Sequence, residues 1–196
     1  MIAARNRLAL SVVLASAMFC KLGHASADQE QPRPSVDPAF QKYVGTYRYV
    51  GGDKEIEALD QAIDDVVSQM NFFIRGIARR RLRKPNMPSK KVTIAIENGE
   101  IVIDRPGQPE VSAPADGKPI TWRHPDDGEV FEVRHGIDEK GVLYQRFKSD
   151  RSVSRNEFVL GEDGKTLTIH TEITADRLPA PLRFDMTYRR EGAANP

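Results

Sequence analysis

The chain has 196 residues with 29 basic and 28 acidic side chains, a near balance that excludes a general polyanion binder working through overall charge. Its one cysteine, Cys20, excludes an internal disulfide framework, so the fold must rest on an apolar core.

The first segment, MIAARNRLALSVVLASAMFCKLGHASA, carries Arg5 and Arg7, an apolar run from Leu8 to Phe19, and small residues at Ala25-Ser26-Ala27. This is the pattern of a secretory signal peptide over 1–27, and its apolar run is too short to span a bilayer. Phe19 stands before Cys20 where a lipid-anchoring site needs a small residue, which argues against lipoprotein attachment. The expected location is exported, periplasmic or secreted. The segment holds Arg5, Arg7 and Lys21 and no acid, so the remaining 169 residues carry 26 basic and 28 acidic side chains, a net charge of −2. That length is enough for one cored domain.

Residues 28–38, DQEQPRPSVDP, are polar and proline-rich and read as an extended arm. A folded domain follows over 39–191. KYVGTYRYV alternates and is rich in Val and Tyr, which predicts a strand over 42–50 ending at Gly51-Gly52. The next stretch, 53–84, is helical. Its apolar residues Ile56, Leu59, Ile63, Val66, Val67, Met70, Phe73, Ile74, Ile77 and Leu82 recur mostly at steps of three and four. Asp53 is the expected N-cap, and Pro85 is expected to stop the helix. A single helix of this length would extend about 46 Å, longer than a small domain is wide, so a break near Asn71 or Gly76 is expected, giving a helical hairpin.

After Asn86 the text becomes short strands separated by turn signals. VTIAIE and IVIDR flank Asn98-Gly99, a strong hairpin signal. A short extended piece near 110–112, then PITW, EVFEVRH, VLYQRFK, SVSRNEFVL, KTLTIHTEIT and PLRFDMTYRR complete ten strands. The pattern predicts a mainly β protein: an antiparallel up-and-down barrel with a helical hairpin inserted after the first strand.

That order resembles the intracellular lipid-binding (fatty-acid-binding) proteins within the calycin group, which also holds the lipocalins. YVGTYRYV resembles the Gly-x-Trp-type first strand, with Tyr47 in the Trp place. RKPNM…VTIAIENGEIVI resembles the segment leaving the helices, and LGEDGKTLTIHTEI…MTYRR the closing hairpin. The resemblance covers roughly residues 40–190 and implies a ligand cavity under a helical lid. It also implies an Arg-x-Tyr anion grip on the last strand, where Tyr188 fills the tyrosine place and Met186 stands in place of the arginine.

On the last strand Phe184, Met186 and Tyr188 share a face with Leu182, and this apolar set is expected to line the interior. Arg146 is in phase with Tyr144 and Val142, and Arg155 with Val153, Glu157 and Val159. An inward arginine requires a carboxylate or an anionic ligand, whereas on the outer face each pairs with neighbours. Leu143, Gln145 and Phe147 are the other possible inward set, and alternation does not choose between the two phases.

The histidines after the signal segment, His124, His135 and His170, have no metal-ligand spacing. No G-x-S-x-G elbow, phosphate loop or dinucleotide fingerprint occurs, so no catalytic residue, metal or cofactor is predicted. A hydrolase or isomerase reading requires His124 or His135 to face a cavity with Asp126 or Glu132 in reach. The helical segment is acidic in its first half and basic at its end, which suits the helix dipole. Arg75, Arg79 and Arg83 step by four and, with Arg80 and Lys84, form a candidate contact with an anionic surface. Export and the lack of interleaved exposed aromatics argue against nucleic acid. The function expected is binding of an apolar or amphipathic, lipid-like small molecule without turnover. Docking of the basic helices on a membrane or partner protein is the alternative.

Overall fold

The computed structural model describes residues 37–192; residues 1–36, with the predicted export signal and most of the polar arm, and residues 193–196 lie outside them. The domain begins with a short 3-10 turn, Pro38–Tyr43, then strand β1 (Gly45–Tyr49) and helices α1 (Gly52–Val67) and α2 (Phe72–Asn86). Nine strands follow: β2 (Lys91–Glu97), β3 (Glu100–Asp104), β4 (Val111–Pro114), β5 (Ile120–Arg123), β6 (Val130–Ile137), β7 (Leu143–Lys148), β8 (Ser152–Leu160), β9 (Thr166–Ala175) and β10 (Leu182–Arg190).

All ten form one sheet in the order β4-β3-β2-β1-β10-β9-β8-β7-β6-β5. Each pairing is antiparallel, and β1 joins β10, so the first and last strands lie side by side. The result is the expected up-and-down barrel, nearly closed, with a helical hairpin after its first strand. β4 and β5 end the sheet and share no ladder. Instead Val111 and Ala113 of β4 pack on Val133 of β6, together with Ile120 and Trp122 of β5, Phe131 and Phe147. Apolar side chains therefore close the gap that backbone hydrogen bonds leave open.

The helices divide the work unequally. α1 buries Leu59, Ile63, Val66 and Val67 in the same core as Tyr43, Tyr47, Val92, Ile101, Leu143, Phe158 and Leu167. Glu55 anchors it by accepting the backbone N–H of Thr187 at 2.8 Å. α2 buries no residue fully.

Three local expectations are corrected, and the expected helical break is fixed at the first of its two candidate places. The first strand starts at Gly45 rather than Lys42, because Asp37 accepts the Ala39 N–H at 2.8 Å and winds the preceding residues into the 3-10 turn. Gly51 rather than Asp53 holds the cap position of α1, leaving Asp53 in the first turn, where its charge still suits the dipole. The helical break falls at 68–71, where Asn71 caps α2 by accepting from the Phe73 N–H at 3.0 Å, and Gly76 lies inside α2. α2 also continues through Pro85 to Asn86. A proline in the last turn removes little, and the Asn86 side chain donates to the Leu82 carbonyl at 2.7 Å.

The β1–β10 seam is locked by Arg190. Its guanidinium donates to the carbonyls of Val44 at 2.6 Å and Lys42 at 2.5 Å and to the Tyr47 hydroxyl at 2.5 Å, while lying 4.8 Å from the centre of the Tyr47 ring. Gly45, with φ of +152°, leaves room for it, since a Cβ there would come 2.8 Å from Nη1. Replacing Arg190 by Met leaves these acceptors short of donors. The expected cost is about 2 kcal/mol or more, read as a lower urea midpoint with unchanged slope. A midpoint equal to that of the parent protein would show that the seam closes without it.

Candidate functional site

The interior wall carries one polar row in an otherwise apolar lining. His135, Gln145, Asn156 and Thr171 are directly paired partners across β6, β7, β8 and β9, so strand register alone places them side by side. All four are buried. Thr171 donates to Asn156 Oδ1 at 2.8 Å, Asn156 Nδ2 donates to Gln145 Oε1 at 3.1 Å, and Gln145 Nε2 meets His135 Nε2 at 2.9 Å. His135 Nδ1 lies 2.8 Å from the Ile101 carbonyl. Because Gln145 Oε1 receives donors, its amide must donate to His135 Nε2, so His135 is neutral with its proton on Nδ1.

Arg105 enters this row from the end of β3, in phase with the inward residues Ile101 and Ile103. Its Nη2 donates to Gln145 Oε1 at 2.9 Å, and its guanidinium carbon lies 5.8 Å from the centre of the Phe158 ring. It has no carboxylate partner among the described residues. Among those residues the only fully buried side-chain polar atom left without a partner is Nε of Arg190, so the unused Arg105 N–H groups are not sealed. They open onto a recess of about 160 Å³ that Arg105 lines with Asn156, Thr171, Phe184, Met186 and Tyr188. Desolvation pulls the Arg105 pKa below its ordinary value. Tyr188 is pushed up to about 12 by burial, against the opposing pull of Arg105, so its hydroxyl stays a neutral donor.

Outward from the recess lies a cleft of about 720 Å³, sharing with it Pro85, Met87, Pro88, Ser89, Gln108, Phe147 and Ser154. Its far wall is Val111, Trp122, His124 and Phe131. Gln108 in the β3–β4 turn donates to the Pro85 carbonyl at 3.0 Å, tying that turn to the end of α2.

This geometry sorts the residues singled out from the sequence. Phe184, Met186 and Tyr188 line the recess. Arg146, Tyr144 and Arg155 do not: β7 and β8 turn the other phase inward, with Leu143, Gln145, Asn156 and Phe158 buried. Outside, Arg155 donates to Glu157 at 2.7 Å and lies 4.6 Å from the centre of the Tyr144 ring. Tyr144 in turn covers Gly136, where a Cβ would come 2.6 Å from its hydroxyl.

Three arginines of the stripe have partners within the protein. Arg83 makes two bonds to Asp60 at 2.6 and 3.2 Å, Arg79 meets Asp64 at 2.5 Å, and Arg75 donates to the Met70 carbonyl at 2.9 Å. The four-residue step therefore faces α1, whose acids draw it in. Arg80, Arg81 and Lys84 have no ion pair among the described residues. His124 and Asp126 both line the cleft, where His124 Nδ1 accepts the Asp126 backbone N–H at 3.2 Å and lies 3.4 Å from Asp127 Oδ1, whereas Glu132 pairs with Arg134 at 3.1 Å, in the opposite strand phase from His135.

Ten antiparallel strands, an open β4–β5 edge and a helix pair between the first two strands decide the architecture. The chain is a nearly closed up-and-down β-barrel with a helical hairpin after its first strand. A crystal structure of apo Caenorhabditis elegans lipid binding protein 8 aligns with it at a TM-score of 0.46 and 10% sequence identity, over 77% of this chain and 96% of that one. No family model matches the chain, and no curated protein matches it.

In this barrel the site residues not singled out from the sequence had a signal there. Arg105 follows Ile101 and Ile103 at period two, and Gln145 and Asn156 are each in phase with a large apolar neighbour. Burial also lowers the His135 pKa to about 4, helped by Arg105 and opposed by the bond to Ile101. The unfolded chain therefore binds this proton between about pH 6.5 and 4 while the folded one does not, so stability is full above that window and falls on acidification through it. The imidazole resonances of His135 should report a neutral, Nδ1-protonated ring at pH 5.5. A charged ring at that pH would contradict the network.

Proposed function

We propose that this protein binds a small amphipathic organic anion without chemical turnover, with the charged group in the recess on Arg105 and the apolar body in the cleft at the barrel mouth. One observation carries this: a desolvated guanidinium with a single side-chain acceptor, a ring at its side and its other donors open to a cavity. An arginine cannot shed its charge, and burying it costs several kcal/mol unless an anion or full hydrogen bonding compensates. The residues beneath the recess, Ile169 and Met186, are buried, and α1 fills the adjoining core, so the space for a ligand is the recess and the mouth rather than the whole barrel. The export pattern over 1–27 supports placing this activity in the cell envelope.

Titration calorimetry with decanoate and its uncharged amide tests the reading. Charge-assisted bonds favour the acid by roughly tenfold or more, and Arg105→Met should remove that preference. Equal affinity for acid and amide in the parent protein would sink it.

A second reading rests on α2. Phe72 and Phe73 are 76% and 86% exposed, and Ile74 and Ile77 are half exposed beside Arg80, Arg81 and Lys84. Exposed rings next to unpaired cations suit an anionic bilayer surface. The protein should sediment with phosphatidylglycerol-containing vesicles severalfold more than with phosphatidylcholine alone, and Phe72→Ser with Phe73→Ser should remove the difference. Equal sedimentation with both vesicle types would remove this reading.

A further inference from the structure

The walls of the two spaces differ in chemistry, and the difference narrows the ligand class. The recess is small. At about 160 Å³ it is close in size to a cavity that holds one benzene, enough for an acid group and a few carbons but not for a long alkyl chain. The cleft beyond it is several times larger and is built from flat, stiff groups. Trp122 lies 6.0 Å from both Phe131 and Phe147, and those two rings lie 6.1 Å apart in an edge-on arrangement. All three are only partly buried and line the cleft, so each retains ring surface for another partner. Across from them stand the rings of Pro106 and Pro109.

We infer that the occupant is a ring-bearing organic anion, its acid group on Arg105 and its planar ring against Trp122, Phe131 and Phe147. This rests on the binding reading above and specifies it. Aromatic pairs gain from edge-to-face and offset contacts beyond the area they bury. A flat wall of rings and prolines is already ordered, so a rigid planar guest loses little entropy there. A straight chain needs a deep apolar channel, and the core beneath the recess closes that path. Lys84 and Lys90 outnumber the single acid of the cleft lining, Asp126, and this balance favours an incoming anion.

Naphthoate and undecanoate, acids of equal carbon number, separate the possibilities by calorimetry on the full chain. Naphthoate should bind roughly tenfold more tightly and quench the emission of Trp122, the one tryptophan in the chain. Phe131→Leu and Phe147→Leu should weaken naphthoate several-fold more than they weaken undecanoate. Arg105→Met should weaken both. If undecanoate binds as tightly as naphthoate and both are lost in Arg105→Met, the ring assignment is overturned while the anion site stands. If neither acid binds the parent protein, both are overturned. Naphthoate binding without any change in Trp122 emission would place the ring elsewhere and overturn the assignment.

Discussion

Leu59, Ile63, Val66 and Val67 of α1 occupy core space that an unfilled barrel would leave to a guest, and much of the rest of the structure follows from that packing. With the stripe of α1 buried beside Tyr43, Tyr47, Phe158 and Leu167, the domain gains a continuous apolar core despite having no disulfide. At roughly 1.5 to 3 kcal/mol for each large apolar side chain taken from water, this is the main stabilising term. The same packing confines open space to one recess and the cleft beyond it. Arg190 holds the arrangement together by fastening the first and last strands, so that the wall on which α1 packs is continuous.

Within that frame the polar row on β6 to β9 has a defined part. Each of its side chains has a hydrogen-bond partner, which is the condition for burying such groups without loss. His135 is held neutral, with one nitrogen on the Ile101 carbonyl and the other on Gln145. Gln145 in turn presents its oxygen to Arg105. The chain of bonds orients the guanidinium without neutralising it. A half-buried cation held this way sets a positive potential in a small cavity, and Tyr188 adds a neutral hydroxyl beside it. The resemblance placed an arginine two residues before that tyrosine. Here Met186 holds that position, and the cation arrives from β3.

The barrel was readable because its signals are local: Asn98-Gly99, regular turn spacing and one clear helical stripe. The hairpin was readable from length, since one helix of that extent does not fit a small domain. The inward phase of β7 and β8 was not, because Leu143 and Tyr144, or Asn156 and Glu157, read equally well at period two until pairing with neighbouring strands sets the face. The Arg75, Arg79 and Arg83 step was visible, but its partners Asp60 and Asp64 lie on another helix. Arg105 was read as the end of the IVIDR strand, and its acceptor, Gln145, lies forty residues further along the chain on another strand. The polar row is a product of register between four strands and has no counterpart in any single stretch of text.

The exposed rings of α2 and the cleft lie at connected parts of the fold, since Lys84 and Pro85 belong to the end of that helix and also line the cleft. A surface that receives α2 would therefore lie near the ligand's entrance. The central claim, however, is the Arg105 site. Native mass spectrometry of the protein and of Arg105→Met, each purified from the same host without exchange of small molecules, tests it most directly. The account predicts a low-mass acidic adduct on the parent protein that is lost from the variant. An adduct retained equally by both, or one that proves to be uncharged, would contradict it.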